Sequence, residues 1–258
     1  LFTFFMSQIV QAVSVAKMQL IQSLHLKKMR QKYGYFIVEG DKMANEILSE
    51  KNLEIAYIIA EEKWLDVNDF VVRKDCAVYS ATSAELKKMS QFLSPPDVII
   101  VAKIPEIDFP ENFENAKFIY LDDIQDPGNV GTIIRTADWF GFDGIFLSPN
   151  CADVWNPKVV QSSMGSVMRM PFQTIEFSDI AKEYPIVNVI VTVLDAPSIF
   201  ETALPSEGIM VVGNESRGIN TNILRAATHK ISIPRLGSAE SLNVGVATGI
   251  CCALWKKS

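Results

Sequence analysis

The sequence predicts an α/β protein in two parts, a small α/β domain followed by a larger one built on a mostly parallel sheet. Three observations predict it. Short apolar runs of strand length alternate with helix-length amphipathic stretches along most of the chain. The alternation breaks once, at residues 105–116, where Pro105, Pro110 and several acids and asparagines leave little periodicity. The chain has 258 residues, enough for two hydrophobic cores.

Residues 1–16 carry no charge and read as a leader or an opening helix. A signal peptide needs a basic first region, which is missing, and the stretch is too short and too polar to span a membrane. Residues 7–32 read as helix, basic towards the end. Residues 35–38 form a short strand, and Glu39-Gly40-Asp41 turns into a helix through Leu48. The continuous apolar run 55–60 is a buried strand. Residues 77–79 are another strand. Thr82 opens a helix with Glu85 three residues after the cap, and 97–101 closes the region as a strand. Residues 17–104 are thus a small domain and 105–116 a linker. Residues 117–258 alternate again, with strands predicted at 117–121, 144–147, 187–193, 208–212 and 230–233. Helices are predicted at 129–140, 157–164, 220–227 and 243–256.

The formal net charge is -6, which does not by itself suggest a nucleic-acid partner. Affinity for phosphates depends on local placement, however. Lys17, Lys27, Lys28, Arg30 and Lys32 follow one another without an acid between them. A solvated helix face would look the same. The four cysteines form no C-x-x-C pair and fit buried free thiols in a reducing, cytoplasmic compartment. Two histidines leave little for a zinc site or a His-based triad. No G-x-G-x-x-G follows a predicted strand, and there is no P-loop, metal-ligand cluster or membrane span.

Three segments of the second half lie where a strand gives way to a loop and a helix, the edge of an α/β sheet where ligands bind. In the first, Pro127 and Gly128 force a turn and the helix starts near Asn129, a good capping type, with Arg135 six residues on. A guanidinium there suits a phosphate, although a capped helix with a surface arginine reads identically. In the second, the strand ending at Val212 runs into a loop bracketed by Gly213 and Gly218, with Glu215 and Arg217 between them. A tight turn would serve equally. In the third, Ser241, Leu242 and Asn243 lead into a helix of small residues, Gly245, Ala247 and Gly249. A capped core helix has the same pattern.

Together and in this order, the three segments resemble the SpoU/TrmH family of RNA ribose methyltransferases, in the SPOUT superfamily. The N-x-G-x-x-x-R pattern stands as Asn129, Gly131 and Arg135. The G-N-E-x-x-G pattern stands as Gly213, Asn214, Glu215 and Gly218, and S-L-N-V-x-x-A as Ser241, Leu242, Asn243, Val244 and Ala247. More loosely, the basic stretch 27–30 followed by 35–40 is similar to the family's RNA substrate-binding domain, which is ribosomal-protein-like.

The resemblance implies a SPOUT-type sheet with a deep trefoil knot, S-adenosylmethionine (SAM) as co-substrate, no metal, and a homodimer whose site is completed across the interface. It implies cofactor contacts from Gly213, Asn214, Glu215, Gly218, Ile233, Leu242 and Asn243. Arg135, Asn129, Glu215, Ser241 and Asn243 would act on the ribose. Arg135 would hold a phosphate and stabilise developing alkoxide charge, because arginine keeps its proton too tightly to be a ready base. Glu215 would orient Arg135 or the ribose, and Asn129 would support Arg135. Lys27, Lys28, Arg30, Lys32 and Arg135 would contact RNA, most simply ribosomal RNA. Transfer RNA as substrate, or a non-catalytic ribosome-assembly role, are the alternatives.

Overall fold

The computed structural model describes residues 10–68, 76–184 and 187–257. The chain divides into two compact units. One runs to Pro105 and includes Trp155–Gln161; the other comprises Glu106–Val154 and the chain from Ser162 on.

In the first unit the order is β1 (Gln11–Ala12), α1 (Val15–Ser23), α2 (Lys27–Tyr33), β2 (Tyr35–Glu39), α3 (Asp41–Ser49), β3 (Ile55–Ala60), α4 (Glu62–Val67), β4 (Ala77–Ser80), α5 (Ser83–Met89) and β5 (Val98–Lys103). Among the described residues the strands lie in the order β1-β4-β3-β5-β2, with β5 antiparallel to both of its neighbours. Helix α5 has the capping box read from Thr82 and Glu85: the Thr82 hydroxyl accepts from Glu85 N, and the Glu85 carboxylate accepts from Thr82 N. Ile21, Leu24, Leu86 and Met89 cover one sheet face, packing on Ile37, Ile59, Ile99 and Val101. On strand β2, Phe36 lies 4.7 Å from the Trp155 ring.

The single helix expected over 7–32 is a correction. Residues 7–9 lie outside the described residues, β1 pairs with β4, and Ser14 caps a new start by accepting from Lys17 N. The helix then breaks, because Leu24 is drawn wholly into the core and Leu26 is extended. Arg30 secures the break from inside. It is only 2% exposed, and its Nη1 donates to the Leu24 and His25 carbonyls.

The second unit contains β6 (Lys117–Asp122), α6 (Pro127–Phe140), β7 (Gly144–Leu147), β8 (Phe172–Thr174), α8 (Phe177–Glu183), β9 (Val189–Thr192), β10 (Gly208–Gly213), α9 (Thr221–Ala226), β11 (His229–Ile231) and α10 (Val244–Lys257). Helix α7 (Pro157–Ser163) lies where the division into units runs. Among the described residues the sheet is wholly parallel, in the order β11-β9-β10-β6-β7-β8. The short elements β8 and α8 were not read from the sequence. Phe118, Tyr120, Phe146, Val191 and Val211 fill the core on one face. On the other, α10 lies along α6. The buried Lys117 donates from Nζ to the Trp255 carbonyl at 2.7 Å, which ties the end of α10 to the start of β6.

This order fixes where a ligand can sit. The chain leaves β6 towards β7 on one side and leaves β10 towards β11 on the other. Their following loops diverge, opening a crevice at the carboxyl ends of two adjacent strands.

Candidate active site

The first loop is set by Asp126 rather than Asn129. The Asp126 carboxylate accepts from Asn129 N at 2.9 Å, and Pro127 takes the first helical position, where its missing N–H costs nothing. Asn129 is thereby inside the helix, and its amide is free to point outward. The preceding Asp123 holds a left-handed backbone, φ 64°, and is a junction. Its N–H donates to Ser148 Oγ at 2.9 Å, its carbonyl accepts from Asn214 Nδ2 at 2.9 Å, and its carboxylate pairs with Arg217.

The second loop is folded on itself. Asn214 Oδ1 accepts from Ser216 N and Arg217 N at 2.9 and 3.1 Å, and Gly218 N returns to the Asn214 carbonyl at 2.8 Å. Gly213 is required for this: a Cβ there would meet the Gly218 backbone at 2.6 Å. Gly218 supplies the φ of 68° that reverses the chain. Below the loop, Asp122 accepts from Asn220 N at 2.6 Å, and burial pushes its carboxyl above the usual range.

In the third segment, Asn243 Oδ1 caps α10 by accepting from Gly245 N and Val246 N at 2.9 and 3.3 Å. Gly245 lets α10 press on α6, since a Cβ there would lie 3.0 Å from Thr132 Cγ2.

The three segments are laced together by one chain of amides. Asn243 Nδ2 donates to Asn129 Oδ1 at 2.9 Å, and Asn129 Nδ2 donates to the Glu215 carboxylate. Beside this lacing lies a cavity of about 570 Å³, in the range of small-molecule sites. Gly213, Asn214, Glu215, Gly218, Ile233 and Leu242 line it, as does Ser241. Asn129 stands at its edge through its bond to Glu215, and Asn243 through its bond to Asn129, rather than in its wall. Leu236, 99% exposed, stands at its lip. Cys251 lines the floor, with burial pushing its thiol up to about 12, so it is no nucleophile. Among the described residues no cluster of His, Cys, Asp or Glu could hold a metal ion.

The structure does not bring Arg135 to this group. It is exposed, outside the cavity wall, and without a hydrogen bond or ion pair among the described residues. Six residues of helix put it about 9 Å along and roughly 120° round from Asn129. The expectation that Asn129 supports Arg135 is therefore corrected within one copy, where Asn129 and Glu215 bond each other. Of the two partners expected for Glu215, Arg135 or the ribose, the same copy's Arg135 is not the one met. In the first unit, Lys27, Lys28 and Lys32 are exposed on α2. The buried Arg30 is not available to RNA, which corrects its reading as a contact. Sequence reasoning passed over Asp123 as a junction. The signal available was its place at the strand end before a capped turn.

A cavity walled by strand-end loops of a parallel sheet, with amides and a carboxylate gathered at its edge, defines an α/β enzyme with a small-molecule site. Residues 116–253 match the SpoU rRNA Methylase family, and residues 16–100 match the MRM3-like substrate binding domain. A 23S rRNA guanosine 2'-O-methyltransferase of Bacillus subtilis is 30% identical over 233 residues, spanning 89% of this chain and 91% of that one. A solved Porphyromonas gingivalis protein assigned to the TrmH family of RNA methyltransferases has 32% identity and a TM-score of 0.81, covering 95% of this chain and 98% of that one. The AdoMet-bound rRNA methyltransferase of Sinorhizobium meliloti has 25% identity and a TM-score of 0.80, covering 96% and 97%. The chain belongs to the SpoU rRNA methylase family: it is an RNA methyltransferase of the SPOUT fold class.

Proposed function

We propose that the protein moves a methyl group from SAM to the 2'-hydroxyl of a ribose in ribosomal RNA, as a cytoplasmic homodimer. The observation that carries this reading is the amide chain Asn243–Asn129–Glu215 at the edge of the 570 Å³ cavity. It joins all three motif segments at one point.

The residues present fit SAM. Val193, Ile233 and Leu242 offer apolar surface for a flat base, and Glu215 and Glu240 offer carboxylates to a cationic ligand. When bound, SAM supplies a methyl group already activated on a sulfonium, so the chain's own residues mainly align the acceptor. Glu215 spends one oxygen on Asn129 and keeps the other for a ribose hydroxyl. Ser241 is exposed at the wall, ready to hydrogen-bond the nucleotide. RNA is the acceptor because only ribose carries the 2'-hydroxyl. In name, the Bacillus subtilis relative modifies a 23S rRNA guanosine and a Streptomyces viridochromogenes relative a 23S rRNA uridine, so ribosomal RNA is the substrate class and the base is left open.

A homodimer accounts for the idle Arg135. Helices α6 and α10 expose Thr132, Trp139, Val246 and Ala253 side by side, and Trp139 is 82% exposed. Covering this face with a second copy would bring that copy's Arg135 towards the site, where it would bind the phosphate and stabilise alkoxide charge. A trefoil knot is supported by contacts of the last segment with the loop after β9. Ser232 Oγ donates to the Ala196 carbonyl at 2.7 Å, and Trp255 Nε1 to the Pro205 carbonyl at 2.7 Å. The free cysteines fit a reducing cytoplasm, and no described helix is long and apolar enough to cross a membrane.

The test is mass spectrometry of ribosomal and transfer RNA nucleosides from cells with and without the gene, with Arg135→Ala complementation. One 2'-O-methylated nucleoside of ribosomal RNA should vanish and return only with the wild type. Unchanged ribose methylation in both pools would overturn the assignment.

A further inference from the structure

Methyl transfer makes no use of a strip of tyrosines in the first unit. Tyr35 on β2, Tyr57 on β3 and Tyr79 on β4 sit on the sheet face that α1 and α5 cover. The Tyr35 and Tyr57 rings are 6.3 Å apart, and the Tyr57 and Tyr79 rings 6.2 Å. Lys17 Nζ stands 3.5 Å from the Tyr57 ring centre and 4.6 Å from that of Tyr79. At one end of the strip, Lys32 lies 5.3 Å over the exposed Tyr33 ring, and Lys103 pairs in register with Tyr35.

Two features distinguish the strip from an ordinary core rim. Among the described residues, the three hydroxyls and the Lys17 ammonium have no hydrogen-bond or ion-pair partner. None of these atoms is among the buried unsatisfied ones, so they reach solvent. Packing alone would be served as well by phenylalanine and leucine. A row of half-buried rings bearing free hydroxyls, with an unpaired ammonium over it, complements a polymer of flat bases and phosphates. The ring spacing is nearly twice the rise of about 3.4 Å between stacked bases. It therefore suits bases already splayed apart, as in an unpaired loop.

We propose that this strip binds an unpaired stretch of the RNA substrate. Tyr57 and Tyr79 stack bases, their hydroxyls meet the sugar–phosphate chain, and Lys17 shifts from ring to phosphate. This rests on RNA being the substrate, and it adds a surface separate from the basic helix α2.

The test uses the full chain with an RNA hairpin bearing an unpaired loop and a fully paired duplex of equal length. Binding is followed by fluorescence anisotropy across a salt series, with SAM affinity and thermal melting measured in parallel. Lys17→Gln should weaken hairpin binding about three- to tenfold and lower the salt slope by about one. Tyr57→Leu should weaken it about tenfold and abolish the preference for the hairpin, while Tyr57→Phe keeps most of the affinity. SAM binding should be unchanged in all three. If Tyr57→Leu does not fold, Lys17→Gln and Tyr79→Leu carry the test. Unchanged affinity and slope in the folded variants overturns the strip, even if the protein methylates RNA. A wild type that binds the hairpin with these dependences but methylates no RNA leaves the strip standing and removes the methyl-transfer reading.

Discussion

Replacing Asn129 with alanine removes two hydrogen bonds at once, the one given to Glu215 and the one accepted from Asn243. The first is to a carboxylate, worth about 1.5–3 kcal/mol when shielded, and the second about 1 kcal/mol. The group is half open to water, so we take about 2 kcal/mol in all, or roughly thirtyfold in kcat/KM. Stability should fall modestly, by about 1 kcal/mol, because the two bonds belong to the folded chain but are half open to water. Asn243→Ala is the informative contrast. It breaks the same lacing and also uncaps α10, so it should cost about 1 kcal/mol of stability besides. Asn243→Asp keeps the capping oxygen but loses the donor to Asn129, and should be stable and slow. The assay is single-turnover methylation across a series of RNA concentrations at saturating SAM, which yields kcat/KM for RNA, with melting curves on the same samples. If Asn129→Ala stays within threefold of the wild-type rate, the lacing does not align the reactants and the argument fails.

Three further outcomes follow from the geometry. Gly213→Ala puts a methyl 2.6 Å from the Gly218 backbone and Ile219 Cγ1, so calorimetry should show SAM affinity down more than tenfold; an unchanged Kd would refute the tight loop. Trp139→Lys combined with Val246→Asp should turn a dimer into a monomer in sedimentation and abolish activity while SAM still binds; a dimer that persists removes this face as the interface. Glu39 is 3% exposed, and burial raises its pKa in the folded state. Its charged form therefore destabilises the fold at neutral pH, and this penalty is relieved as pH falls into the carboxylate range. Glu39→Gln should raise the melting temperature at pH 7.5, with the gain shrinking towards pH 4.5; a gain independent of pH would contradict the burial argument.

What the sequence told plainly was what is local. The Thr82–Glu85 capping box and the apolar run of β3 are set within a few residues, and both stand as read. The three motif segments were legible as strand-end loops because glycine, proline and capping residues mark such turns. Two readings failed where a distant contact decided. Arg30 was read as an RNA contact on a basic helix, but its guanidinium closes a helix break inside the core. Asn129 was read as a cap, yet Asp126 takes that role and frees it for partners 86 and 114 residues away. The Asp123–Arg217 pair, 94 residues apart, has no signature within either loop. Elements β8 and α8 are too short for periodicity to show.

Those long separations bear on how the active state is reached. No short stretch of chain contains the site: its three motif segments meet only after closure of loops of 86 and 114 residues. Such contacts form late, because the entropy of closing the chain is lost before they return anything. Helices α6 and α10 can each form early without creating any catalytic geometry. A refolding sample should thus regain its helical signal well before it regains turnover, with no partly folded species working at reduced rate. Mild destabilisation anywhere in the second unit would accordingly be felt as a smaller fraction of competent molecules rather than as a slower enzyme.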